Sequence, residues 1–174
     1  MSRLCEALKL VPDESRLAFV AGFGALTGVD IPISPPANRA AMNWDELRAV
    51  AADGVEIGCH TETHPILSRI ASPAKLEREI RGAKETLESR LRLPVKHFCY
   101  PNGRGIDIGA AAAAMVRDAG YVSATTTTWG MNPVTTDPMA IKRIPFSGET
   151  NPHYGAELLA GLHLPHNVIE GAVS

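Results

Sequence analysis

Two of the chain's six histidines stand four residues apart in the stretch EIGCHTETHP, as His60 and His64, just ahead of Pro65. On a helical turn, positions i and i+4 share a face, so both imidazoles can reach a single ion. Imidazole nitrogen and carboxylate oxygen are zinc donors, and a catalytic site keeps one position open for water. The pattern is not HExxH, because the glutamate, Glu62, falls in the second slot and points away from a shared ion. Taken alone the spacing is a weak signal, since a surface pair solvating a helix start would read the same way. Cys59 precedes His60, but alternation along a strand turns neighbours to opposite sides, and a buried cysteine is the simpler reading.

The surrounding chain alternates short apolar runs with helical patterns. RLAFVAG (16–22), VEIGC (55–59), VKHFCY (95–100), YVSATTT (121–127) and AIKRIPF (140–146) read as strands. Asn43 is placed to cap a helix in which Trp44, Leu47, Val50 and Ala51 share a face, with Glu46 completing a capping box. Ser72-Pro73 opens a longer helix whose apolar stripe is Leu76, Ile80, Ala83, Leu87 and Leu91, stopped by Pro94. Asp107 is expected to cap the alanine-rich run that ends at Gly120, and Asn151-Pro152 to start a last helix. Strands alternating with helices imply parallel pairing, hence an α/β fold. Chemistry in such folds collects at the carboxyl ends of strands. His60, the PNGRG segment after VKHFCY and the TTTTWGMNP segment all follow strands and so converge on one face. The glycine- and proline-rich stretch 22–42 is too long for a simple connector and suggests a loop shaping the cleft.

The 174 residues suffice for one domain with a real core. A net charge of −2 gives no electrostatic reason to expect nucleic acid or an anionic membrane. No apolar run spans a bilayer, and residues 1–12 lack a signal peptide's pattern. The three cysteines, Cys5, Cys59 and Cys99, show no pairing pattern, so a reducing, cytoplasmic setting is the default for the chain as written, with secretion left open.

MNWDELRAVAADGVEIGCHTETHPILSRI resembles the second motif region of the polysaccharide deacetylases, metal-dependent carbohydrate esterases with the chitooligosaccharide deacetylase homology domain. Its most specific part is His60-Thr61-Glu62-Thr63-His64-Pro65, matching H-[ST]-x-x-H-P. VKHFCYPNGRG resembles the third motif in the variant F-x-Y-P-x-G, and the segment from Val116 to Phe146 resembles the fourth region and closing strand. The resemblance covers roughly residues 16 to 160. It implies a single domain over 1–174 with an incomplete (β/α)7-type barrel. It also implies that His60 and His64 are ligands of a divalent metal, zinc first, with cobalt, nickel and manganese as alternatives. Thr61 matches a supporting hydroxyl. Asn102 falls where a backbone N–H helps hold the oxyanion, a role independent of side-chain identity, and Gly103 lies beside it. Tyr100 lines the sugar cleft or packs.

The sequence also departs from the family pattern. The T-F-D-D-G motif, source of the catalytic base and the aspartate ligand, is not found, so the first strand is expected to be missing, with MSRLCEALKL as the end of the helix after it. Cys99 stands where many members have an arginine that orients the catalytic aspartate. The late L-x-H element is absent, and His163 and His166 in GLHLPH are weak substitutes. Trp129 and Asn132 sit in a loop on the expected active face, where Trp129 stacks on a sugar or packs. Arg143 has Asp137 or a substrate carboxylate as its expected partner. The activity implied is metal-dependent removal of N-acetyl groups from a carbohydrate. The alternatives are a non-catalytic carbohydrate-binding member and a fragment completed by another chain through an exposed strand edge, which includes self-association.

Overall fold

A computed structural model describes residues 2–32 and 41–144. The sheet is parallel and ordered as the chain runs: β1 (His97–Cys99), β2 (Ser123–Trp129) and β3 (Ile141–Arg143). His97, Phe98 and Cys99 stand opposite Ser123, Ala124 and Thr125, and Thr125 stands opposite Ile141. Ahead of β1, Cys59 adds a single parallel bridge to Phe98, closed by Cys59 N–H to His97 O and Cys99 N–H to Cys59 O, both 2.8 Å. The VEIGC run therefore lies at the sheet edge as one bridge rather than a full strand. Gly58 sits against the His97 carbonyl, where even a Cβ would stand 3.2 Å from the oxygen.

Helices cross between the strands. α1 (Ser2–Leu8) and α2 (Asp13–Thr27) precede α3 (Trp44–Ala52). The capping box at α3 forms as read: Asn43 Oδ1 accepts from the N–H of Asp45 and of Glu46, and the Glu46 carboxylate accepts from the Asn43 N–H at 2.8 Å. Pro73 opens α4 (Pro73–Glu77), which runs through a π-helical turn, Arg78–Gly82, into α5 (Ala83–Leu91). Leu76, Ile80 and Ala83 are buried in one cluster with Phe98, Tyr121 and Val116, the last from α7 (Ala110–Asp118), and Leu91 is buried at the far end of α5. This helix-on-sheet layer is the core, and the architecture is α/β, a partial parallel sheet of the incomplete (β/α)-barrel kind.

Two expectations need correction. RLAFVAG is not a strand but the middle of α2. A strand must find backbone partners in a neighbour, and none stands beside this segment among the described residues. A helix satisfies its own N–H and C=O groups, and Asp13 and Glu14 in its first turn favour it electrostatically. Asp107 does not cap the alanine run: it lies inside a short helix, α6 (Gly105–Ile108), and pairs with Arg104 at 2.6 Å. Gly109, at φ 75°, separates α6 from α7. The helix expected from Asn151, and His163 and His166, lie outside the described residues. No helix among the described residues is long and apolar enough to cross a membrane.

Candidate metal centre

The HTETH turn leaves the sheet directly after buried Cys59, which is 1% exposed and whose thiol burial pushes up. The turn is not a regular helix. Thr61 (φ 68°) and His64 (φ 57°) both adopt left-handed backbone, a region that bulky or β-branched residues avoid. Even so, the two side chains stay together: the rings of His60 and His64 meet edge to face with centroids 4.8 Å apart. Thr61 Oγ1 accepts from the His64 N–H at 3.1 Å and donates to the His60 carbonyl at 2.5 Å, so its hydroxyl braces the turn from within.

His60 Nδ1 lies 2.6 Å from the Cys99 carbonyl oxygen. A carbonyl only accepts, so Nδ1 carries the proton and a neutral ring presents Nε2 with its lone pair free. This is the backbone-carbonyl support that typically orients a ligating histidine. The Cys99 side chain also raises the hold of His60 on its second proton, against burial, which lowers it. In return, His60 brings the Cys99 thiol down to about 7 although burial opposes this.

Across the cleft, the loop after β1 turns back through Asn102 (φ 58°) and Gly103 (φ 59°). Glycine is required at 103, because a Cβ there would stand 2.6 Å from the Thr127 nitrogen. Thr127 N–H donates to the Gly103 carbonyl at 2.9 Å and Thr127 Oγ1 to the Asn102 carbonyl at 2.6 Å, which ties the loop to β2. The Asn102 N–H has no acceptor among the described residues. His64 and Asn102 line one cavity of about 250 Å³, whose opposite wall is Cys5, Leu8 and Lys9 around α1 with Arg16 and Val20 of α2.

The other sequence-predicted residues divide. Tyr100 is 1% exposed, packs edge-on against Phe98 and donates its hydroxyl to the Met139 carbonyl at 3.1 Å, so it does not line the histidine cleft. The Asn132 amide both donates to the Lys142 carbonyl and accepts from the Lys142 N–H, each at 2.9 Å, which pins the loop before β3 and leaves little for a ligand. Trp129 is 49% exposed at the end of β2. Arg143 donates from Nε to the Thr126 carbonyl at 2.6 Å, and its charge is felt at both His60 and Cys99. Asp137 pairs with Arg117, not with Arg143, and caps a short turn through Met139 N–H. Sequence reasoning missed Glu79, a carboxylate with no exposed surface, which binds the histidine turn. Its signal was a charge three residues after Leu76 and four before Ala83, squarely on the apolar stripe.

The donor chemistry fits a divalent ion: two imidazoles on one side of a turn, one with its tautomer fixed. Among the described residues no third histidine, cysteine or carboxylate joins them in a metal-holding group.

A parallel sheet that releases a histidine pair and a glycine-shaped loop from its strand ends defines an α/β-barrel type of site. The family model for polysaccharide deacetylases matches residues 35–124, just over half the chain, and the chain belongs to that family. The fold is similar to the deacetylase PplD of Streptococcus pyogenes, solved with acetate, at TM-score 0.62 and 21% identity, over 74% of this chain and 54% of that one. It is also similar to a polysaccharide deacetylase from Bacillus cereus, at TM-score 0.59 and 21% identity, over 80% and 46% of the two chains. A de-N-acetylase from Aggregatibacter actinomycetemcomitans matches at TM-score 0.56 and 15% identity, over 79% and 68%. The chain thus spans about half the length of the first two. A search of curated proteins finds no match.

Proposed function

We propose that this chain carries the histidine half of a metal-dependent deacetylase site, acting on N-acetyl groups of a carbohydrate. The observation that supports this most directly is the His60–His64 pair, rings 4.8 Å apart, with Nε2 of His60 freed by the Cys99 carbonyl. A divalent ion, zinc first and cobalt, nickel or manganese as alternatives, would be held there, where it supplies Lewis-acid polarisation of the acyl carbonyl. The chain's own residues do the rest of the positioning. The Asn102 N–H, presented by a loop locked to Thr127, is the donor for the developing oxyanion. Exposed Trp129 offers a face for a sugar ring, and Arg143 contributes positive charge on the same side. The base that the hydrolysis requires is not supplied by Asp107 or Asp137, since each is held by an arginine.

The experiment is acetate release from acetylated chitooligosaccharides with and without added zinc or cobalt. The chain as given is expected to be inactive or nearly so, because loss of a general base costs on the order of 10²–10⁴ in rate. A version extended upstream to include an Asp-Asp motif is expected to release acetate. Robust metal-dependent release by the short chain would refute this assignment of the missing base.

The absence of a carboxylate at the pair among the described residues favours a second reading, a non-catalytic member that binds carbohydrate. Saturable binding of oligosaccharide without acetate release, even by the extended chain, would establish it. Self-association through the Cys59 sheet edge is a third arrangement that sedimentation tests directly.

A further inference from the structure

Glu79 lies on the π-helical turn Arg78–Gly82 with no exposed surface, beside equally buried Ile80. Its carboxylate reaches across to the histidine turn. Oε2 accepts from the N–H of Glu62 at 3.0 Å and of Thr63 at 2.9 Å, and Oε1 accepts from the Thr63 hydroxyl at 2.6 Å. No lysine, arginine or histidine among the described residues pairs with it. A buried carboxylate without a cation is unfavourable unless charge-assisted hydrogen bonds replace its water. Here all three come from Glu62 and Thr63, two of the three residues between the histidines, and none from a neighbouring helix.

The turn needs such a clamp. Thr61 and His64 both sit in left-handed backbone, which persists only where the surroundings over-determine it. Inside the turn there is only the Thr61 hydroxyl, which accepts from the His64 N–H and donates to the His60 carbonyl. A π turn in a helix is a local irregularity that recurs at functional positions. This one brings both Glu79 and Ile80 to the buried side, Ile80 into the core and Glu79 onto the turn.

We propose that Glu79 is a positioning residue for the metal site: it clamps the Glu62–Thr63 segment so that His60 and His64 face each other before any ion arrives. This rests on the reading of the two histidines as ligands. The clamp itself is visible without metal.

The test uses the full chain. Amide hydrogen exchange is followed at Glu62 and Thr63 in the metal-free protein, and cobalt binding is titrated by its absorption bands. Glu79→Ala is expected to remove protection at both amides and to weaken cobalt binding on the order of 10- to 100-fold. Glu79→Gln keeps the shape, with its carbonyl accepting both N–H groups and its amide donating to the Thr63 hydroxyl, so both readouts should largely return. Thr63→Ala removes one of the three bonds and should fall between, which covers the case in which Glu79→Ala does not fold. Leu76→Ala, a core truncation one turn earlier, should lower stability yet leave the amides protected and cobalt affinity unchanged. Protected amides or unaltered cobalt affinity in Glu79→Ala would overturn the proposal, as would the same loss in Leu76→Ala. So would Glu79→Gln failing like the alanine variant, since the buried charge rather than the clamp would then be at work. If the wild-type chain binds no cobalt, the ligand reading falls, while the exchange data alone still decide whether Glu79 holds the turn.

Discussion

α2 and the α4–α5 helix make opposite use of their apolar residues. α2 is the more apolar of the two, yet Leu17, Val20 and Leu26 are 46%, 53% and 71% exposed. The α4–α5 helix is rich in lysine, arginine and glutamate, yet Leu76 and Ile80 are 5% and 0% exposed. Apolar content does not bury a helix; a facing surface does. The sheet offers that surface to α4 and α5, whereas α2 is tied to α4 through Asp13, which bonds Lys75 at 2.6 Å and is braced within α2 by Arg16. The cleft lies between the two regimes, with its histidine turn clamped to the well-packed helix and its far wall carried by α1 and α2.

The largest effect should come from the packed side. Ile80→Ala is expected to cost about 3 kcal/mol, the usual loss for a fully buried aliphatic side chain, read as a shifted denaturation midpoint. A cost below about 1 kcal/mol would show the core to be looser than its burial implies.

Acid should separate the two regions next. Burial pushes the Asp13 carboxyl up, but hydrogen bonds from Lys75 and Arg16 outweigh it and hold it below its ordinary value. Its folded value is therefore the lower one, so its contribution is complete above about pH 5 and is lost as pH falls through the lowered value. Pepsin should cut α2 before the sheet on acidification, and at neutral pH Asp13→Asn should open α2 to chymotrypsin at a cost of about 2 kcal/mol. Simultaneous loss of α2 and sheet would erase the distinction.

The junction gives a smaller, chemical readout. In metal-free protein, alkylation of Cys99 by iodoacetamide should rise through a midpoint of about 7, driven by the His60 imidazole. His60→Ala should move that midpoint upward and slow Cys99 on the order of tenfold at neutral pH, while buried Cys59 stays inert throughout. A midpoint that ignores His60 would mean the pair is not in contact in solution.

The smallest effect belongs to α2. Val20→Ser should change stability by less than about 0.5 kcal/mol, because an exposed side chain has little contact to lose. A loss comparable with Ile80→Ala would show that α2 is covered in solution, and sedimentation of the same variant would show whether a second copy does the covering.

Much of the fold was legible because its signals are local. A capping box reads from Asn43 and Glu46 alone, and Ser72-Pro73 marks a helix start in any context. The α/β alternation reads from the periodicity, and the placing of His64 and Asn102 on one cavity follows from strand ends. RLAFVAG was misread because the choice between strand and helix there depends on a neighbouring strand, which no local pattern encodes. Asp107 was misread because the left-handed break at Gly109 divides what composition shows as one helix. Tyr100 and Asn132 have the right chemistry in the right segments, but their partners, Met139 and Lys142, belong to the closing strand region, and sequence distance hides such pairs. Glu79 could have been found by asking why a charge sits on an apolar stripe.

The support for His60 comes from the main chain of Cys99. Every amino acid carries that carbonyl, so substitution at position 99 leaves the imidazole's orientation in place while changing everything its side chain does. Position 99 can thereby be redesigned without disturbing the geometry of the histidine. Ligand geometry and side-chain chemistry are thus set separately at one residue.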